Sequence, residues 1–170
     1  PSMLECVWTD LGLTGYAAAL ERQRAAVELR KRGEIPDQLL LVEHPHVITM
    51  GRNAKPENLL AGQEHLSRAG VAFFSTDRGG DVTYHGPGQL VGYPILDLRH
   101  WKRDVADYLR ALEQALIGAL AEFGIAASRA DGMTGVWVET PSAPAKIAAL
   151  GVHISRWVTS HGFALNISTD

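Results

Sequence analysis

The chain has 170 residues, 46% of them hydrophobic and 21% charged, the balance of one globular domain with a solvated surface rather than of a disordered chain. With 16 Lys+Arg against 19 Asp+Glu the formal charge is -3, so no chain-wide positive field points to nucleic acid or an anionic membrane. The single cysteine, Cys6, excludes an internal disulfide framework and any multi-cysteine zinc or iron–sulfur site, and fits a reducing, cytoplasmic setting.

In chain order, the first expected strand covers 4–8, with Cys6 buried and inert among Leu4, Val7 and Trp8. Glu5 and Asp10 interrupt the start before the apolar stretch of a signal peptide develops. An Ala-, Leu-, Glu- and Arg-rich helix is predicted over 14–32, with Thr14 as N-cap and Gly33 as stop. Strands at 38–43 and 47–50 flank His44-Pro45-His46, which reads as a turn with surface histidines, because a proline separates the imidazoles and no third ligand is near. The aliphatic run in the first of these strands, Leu39 to Val42, is far short of the ~20 apolar residues of a transmembrane helix. A short helix at 63–69 precedes strands at 71–75, 81–85 and 90–96, and Gly86-Pro87-Gly88 is expected to join the last two as a hairpin. A second long helix, 104–123, sets Val105, Tyr108, Leu109, Leu112, Leu116, Leu120 and Phe123 on one stripe before Gly124. Strands at 135–139, 146–154 and 163–167 complete an α+β domain in which hairpins outnumber parallel crossovers.

Common catalytic signatures fail on inspection: the phosphate-binding loop, the His-Glu-x-x-His helix and the Gly-x-Ser-x-Gly elbow are all missing from the sequence. The densest unusual chemistry is Arg78, Gly79, Gly80, Asp81, Val82, Thr83, Tyr84 and His85. Adjacent glycines let backbone approach a ligand while the polar residues supply donors; the competing reading is a glycine turn leading into an edge strand whose polar side chains face water. Lys146 leads an otherwise apolar strand. It reads either as a gatekeeper on a sheet edge or as a partly desolvated ammonium able to lower the pKa of a neighbouring thiol.

The segment 78–97, Arg-Gly-Gly-Asp-Val-Thr-Tyr-His-Gly-Pro-Gly-Gln-Leu-Val-Gly-Tyr-Pro-Ile-Leu-Asp, resembles the signature of the lipoyl(octanoyl) transferases. Glu43-His44-Pro45, Ile48-Thr49-Met50-Gly51-Arg52, residues 146–152 and Gly162-Phe163-Ala164-Leu165-Asn166 extend the resemblance in register over nearly the whole chain. The resemblance implies a biotin/lipoate protein ligase-like fold, a mixed β-sheet with flanking helices. It also implies transfer of an octanoyl group from octanoyl-acyl carrier protein to a lysine of a lipoyl domain, through an acyl-thioester on a cysteine. Neither metal nor nucleotide is expected, because the donor thioester is already activated. The expected acceptors are lipoyl domains of 2-oxoacid dehydrogenase complexes and the glycine cleavage H protein, with no nucleic acid or membrane partner.

Carried onto this sequence, the resemblance makes Arg78 through His85, Ala149, Leu150, Gly151, Gly162, Phe163 and Ala164 the substrate-binding residues, and Lys146 the lysine that lowers the pKa of the nucleophilic thiol. It places that thiol in a Pro-Cys-Gly segment shortly after Asn-Ile-Ser-Thr-Asp, beyond Asp170. Residues 1–170 are therefore expected to form a single catalytic domain whose C-terminal part is missing and which, alone, has negligible transferase activity. Arg99-His100-Trp101-Lys102-Arg103 is a basic cluster with an aromatic anchor, expected either to dock an acidic carrier or lipoyl domain or to be a solvated loop. Two rival readings are an ATP-dependent lipoate–protein ligase on the same fold and a non-catalytic acyl- or lipoyl-domain-binding module.

Overall fold

A computed structural model describes residues 4–169. Its elements run β1 (Cys6–Leu13), α1 (Tyr16–Lys31), β2 (Asp37–Glu43), β3 (Val47–Met50), α2 (Gln63–Arg68), β4 (Ala72–Ser75), β5 (Val82–His85), β6 (Gln89–Ile95), α3 (Val105–Glu122), β7 (Ala127–Ser128), β8 (Val136–Val138), β9 (Ala145–Ser155) and β10 (Val158–Asn166). Seven strands form a sheet in the order β1-β2-β6-β10-β9-β8-β7, and three form a smaller one, β4-β3-β5. Within these sheets β1/β2 and β3/β4 are parallel and the other pairs antiparallel, as clustered strands imply.

The two long helices cover opposite faces of the large sheet because its strands alternate. On β10, Ala164 joins Ala19 of α1 with Leu40, Val42, Val91 and Tyr93, whereas Phe163 and Leu165 turn to Leu116 and Leu120 of α3 with Val136 and Ala148. Asp104 caps α3, its carboxylate accepting from Asp107 N at 2.9 Å. The predicted stripe holds at Tyr108, Leu116 and Leu120, but Val105 and Phe123 at its ends are exposed. Thr14 does not cap α1: its hydroxyl donates to the Leu11 carbonyl, and Gly15 takes the cap position without a side chain.

Two further expectations change in ways that shape the site. The Gly86-Pro87-Gly88 turn does not close a hairpin, because β5 pairs with β3 in the small sheet while β6 pairs with β2 and β10 in the large one. The turn instead passes the chain between sheets, with the Gly88 carbonyl held by the amides of Ile167 and Ser168 at 3.1 and 2.9 Å. The last strand begins at Val158 rather than 163, because Arg156 and Trp157, at φ 49° and 65°, make a tight β9–β10 turn without the usual Asn-Gly signal.

Candidate functional site

Passing the chain from one sheet to the other opens a cavity of about 690 Å³ between residues 78–85 and the face of the large sheet, within the range of small-molecule sites. Arg78, Gly80, Asp81, Val82, Thr83, Tyr84 and His85 form one side; Lys146, Ala149, Leu150 and Gly151 of β9 and Gly162, Phe163 and Ala164 of β10 form the other. Three segments far apart in sequence thus meet at one cavity; β5 is an edge strand of the small sheet, as the competing reading expected, and the cavity lies against it. Gly79 alone among the candidates is not part of the wall. It sits behind it, its amide donating to the Val152 carbonyl at 2.8 Å. The close backbone approach is real: a Cβ on Gly151 would stand 2.7 Å from the Gly79 carbonyl oxygen.

Arg78 serves the wall rather than reaching freely into the cavity. It is 6% exposed. Its Nη2 donates to the Thr49 carbonyl at 2.8 Å and the Asp81 carbonyl at 2.9 Å, Nη1 to the Gly79 carbonyl at 2.9 Å, and Nε to Thr49 Oγ1 at 3.2 Å. Burial pulls its pKa below the usual guanidinium value. The planar fork ties the glycine loop to β3, a task lysine could not perform.

The hydrogen bonds fix the histidine tautomers. Gln89 Nε2 donates to the Tyr84 carbonyl and to Asn166 Oδ1, so its Oε1 accepts from His85 Nδ1–H at 2.7 Å. His85 Nε2 keeps its lone pair, with no protein donor among the described residues. Burial pushes the His85 pKa down to about 4, so the ring is neutral at physiological pH. His44, expected at the surface, is fully buried. Its Nδ1–H donates to the Thr14 carbonyl at 2.6 Å, and Nε2 accepts from Tyr93 OH at 2.7 Å. Its partner in the turn, His46, is exposed and bonds Tyr84 OH at 2.6 Å through Nδ1. Burial raises the Tyr16 phenol to about 12, which keeps this cavity-lining hydroxyl protonated.

Lys146 stands exposed at the cavity rim with Nζ 4.9 Å from the centroid of the Trp137 ring, a cation–π contact that limits where the ammonium swings. It is not a desolvated ammonium. Nor does it guard a sheet edge, since β9 lies between β10 and β8. Cys6 is exposed rather than buried, and its thiol pKa is raised by partial burial and by Asp37. Because β2 separates β1 from β6, this thiol is at least two strand spacings, about 10 Å, from the nearest cavity strand. The basic cluster is largely self-neutralised: Arg99 bonds Asp97 at 2.7 Å, and Lys102 pairs with Asp107. It follows the end of β6 opposite Gln89, which favours the solvated-loop reading.

Sequence reasoning missed Tyr16, Gln89, Val91, Tyr93, Thr134, His161, Asn166 and Thr169 of the wall. Gln89 and Tyr93 lie in the recognised signature, and their alternation with Val91 along one strand face was the available signal. Tyr16 and Thr134 carried none, because only the fold brings them there.

The lipoyl protein ligase A/B catalytic domain model matches residues 15–170. An octanoyltransferase of Solibacter usitatus is 64% identical over 168 residues, covering 99% of this chain and 74% of that protein. An octanoyltransferase of Koribacter versatilis is 57% identical, with 95% of this chain and 64% of that one covered; the chain is shorter than both relatives. Among solved structures, a bi-partite lipoate protein ligase from Thermoplasma acidophilum superposes with a TM-score of 0.76 at 18% identity, covering 98% of this chain and 63% of that one. A lipoate-protein ligase A bound with ATP gives 0.69 at 15%, covering 98% and 67%. Those two likenesses establish the fold, a mixed sheet with flanking helices. Matched along almost its whole length, the chain belongs to the lipoyl protein ligase A/B catalytic domain family, among relatives that are octanoyltransferases and therefore acyltransferases.

Proposed function

We propose that the 690 Å³ cavity holds the acyl chain of an octanoyl thioester, donated by acyl carrier protein, and that the group passes to a lysine amine of a lipoyl domain. The observation that carries this reading is the division of the wall. Val82, Val91, Ala149, Leu150, Phe163 and Ala164 offer an apolar bed, and Thr83, Tyr84, His85, Gln89, Lys146 and Asn166 offer polar groups for the reacting end. Gly92 on β6 leaves the space the Phe163 ring fills, since a Cβ there would overlap the ring.

Two acyl transfers are required, from donor thioester to an enzyme thiol and from that thiol to the amine. Cys6 is placed too far from the cavity to be that thiol. The nucleophile of this proposal is the cysteine that the family resemblance puts after Asp170. The Lys146 ammonium at the rim favours its thiolate electrostatically. As the amide forms, the proton shed by the attacking lysine amine is taken up by the departing cysteine thiolate, and the neutral His85 ring stands in the wall as a polar contact. Lipoyl-domain acceptors and the donor carrier are both acidic in this reading, and Lys146 is the cation they approach.

The test is turnover of octanoyl-acyl carrier protein with an apo lipoyl domain by the longer protein, with and without Lys146→Met. Loss of about 100-fold or more in kcat supports the reading; an undiminished rate overturns the role of Lys146. A strict requirement for ATP with free octanoate as donor overturns the thioester reading.

A further inference from the structure

A second cavity, of about 380 Å³, lies along the same face of the large sheet, between α1 and the β9–β10 turn end. His161, bonded to Asp77 at 2.7 Å, lines both cavities, and Asp77 lines the second. Nothing in the proposed acyl transfer uses this second space.

Its inner end carries an unanswered donor. Gln23 is 1% exposed, and its Oε1 accepts from the backbone amide of His161 at 2.8 Å. That bond fixes the orientation of the amide, because the flipped form would set two N–H donors against each other. Gln23 Nε2, with two hydrogens, is left without an acceptor among the described residues, a condition that buried polar groups rarely tolerate. The charges around it are unequally engaged. Each carboxylate takes one hydrogen bond: Asp77 Oδ1 from His161, with Oδ2 turned to His153 Nε2 at 3.7 Å, and Glu28 Oε1 from Lys31 at 2.8 Å. Arg24, exposed at the rim, has no ion pair among the described residues. What the cavity offers is therefore donors and a free cation, facing Val27 on the same helix.

We propose that this second cavity binds a small oxyanion-bearing ligand, a short-chain carboxylate or a phosphate, whose oxygens accept from Gln23 Nε2 and from the Arg24 guanidinium. A metal cation does not fit: no group of three or more His, Cys, Asp or Glu side chains among the described residues could hold one, and Gln23 Nε2 and Arg24 present N–H donors. An oxyanion satisfies both at once, with the planar fork of arginine suited to two oxygens. The volume left over Leu20 and Val27 accommodates a short apolar body.

The experiment is a pair of NMR titrations at neutral pH, one with butyrate and one with inorganic phosphate, following the Gln23 side-chain amide and the His153 ring. Saturable shifts with either probe, weakened about tenfold or more by Arg24→Ala, are the expected result; that substitution removes an exposed side chain and leaves the fold alone. Butyrate binding without phosphate binding identifies a carboxylate ligand, and the reverse a phosphate. Gln23→Met, close in volume, is expected to abolish the shift of the His153 ring on adding either probe, while the melting temperature reports folding. The proposal is overturned if neither probe shifts these resonances, which would leave Gln23 to an ordered water. It is equally overturned if Arg24→Ala binds as tightly as the native chain. Neither outcome bears on acyl transfer in the first cavity.

Discussion

Acidification is expected to destabilise this domain through its buried histidines, and His85 sets the size of the effect. The ring is 6% exposed, and burial holds its pKa at about 4 against the usual 6.5. The folded chain therefore leaves it neutral where the unfolded chain already binds a proton. Stability that this group supports is complete above about pH 6.5, falls as pH drops and is gone below about pH 4. At about 1.4 kcal/mol per pH unit the full effect is about 3 kcal/mol, and about 2 kcal/mol of it is lost by pH 5. His44 and His161 are also held below their usual pKa, chiefly by burial, and act in the same direction. The check is urea unfolding followed from neutral pH to about pH 5, with the denaturation midpoint read at constant m-value. His85→Gln should remove about 2 kcal/mol of the difference over that interval. A stability that stays flat between these conditions refutes the argument, as does an NMR titration of the His85 ring near 6.5.

Three further outcomes follow from particular contacts. Gly92→Ala places a methyl where the Phe163 ring lies, so thermal melting should show a loss of about 1–3 kcal/mol, together with a raised KM for the acyl donor in the longer protein. Arg78→Lys surrenders a fork that bonds Thr49, Gly79 and Asp81; a loss of about 1–3 kcal/mol in chemical denaturation is expected, and an unchanged midpoint would mean the glycine loop is held by other contacts. Cys6→Ser, at an exposed position away from the cavity, should shift stability by no more than about 0.5 kcal/mol and leave turnover of the longer protein intact. A covalent octanoyl adduct on Cys6, detected by mass spectrometry, would contradict that placement.

Local chemistry was enough to read several features from the residues. Gly33 and Gly124 end the two long helices in left-handed conformations, as their position after periodic apolar residues implied. The family resemblance, rather than local chemistry, grouped 78–85, 149–151 and 162–164, and all of these residues but Gly79 line one cavity. Other features were invisible because their cause is distant in sequence. Nothing in Trp157 to His161 announces a strand; it exists because β9 offers a partner edge after a tight turn at two non-glycine residues. His44 looks like a turn histidine until Tyr93 and the Thr14 carbonyl are brought to its two nitrogens.

The sequence by itself determined the long helices, most of the strands, the α+β class and the family resemblance, since periodicity, helix stops and motif identities are properties of short stretches of chain. Tertiary structure alone decided that 82–85 and 89–95 enter different sheets, and that division opens the cavity between them. It also decided that Arg78 ties down the wall while Lys146 stays at the rim. The physical reason is the same in each case: burial and hydrogen-bond partners set whether a polar side chain is a strut or a reagent, and those partners are chosen by packing between segments far apart in the chain.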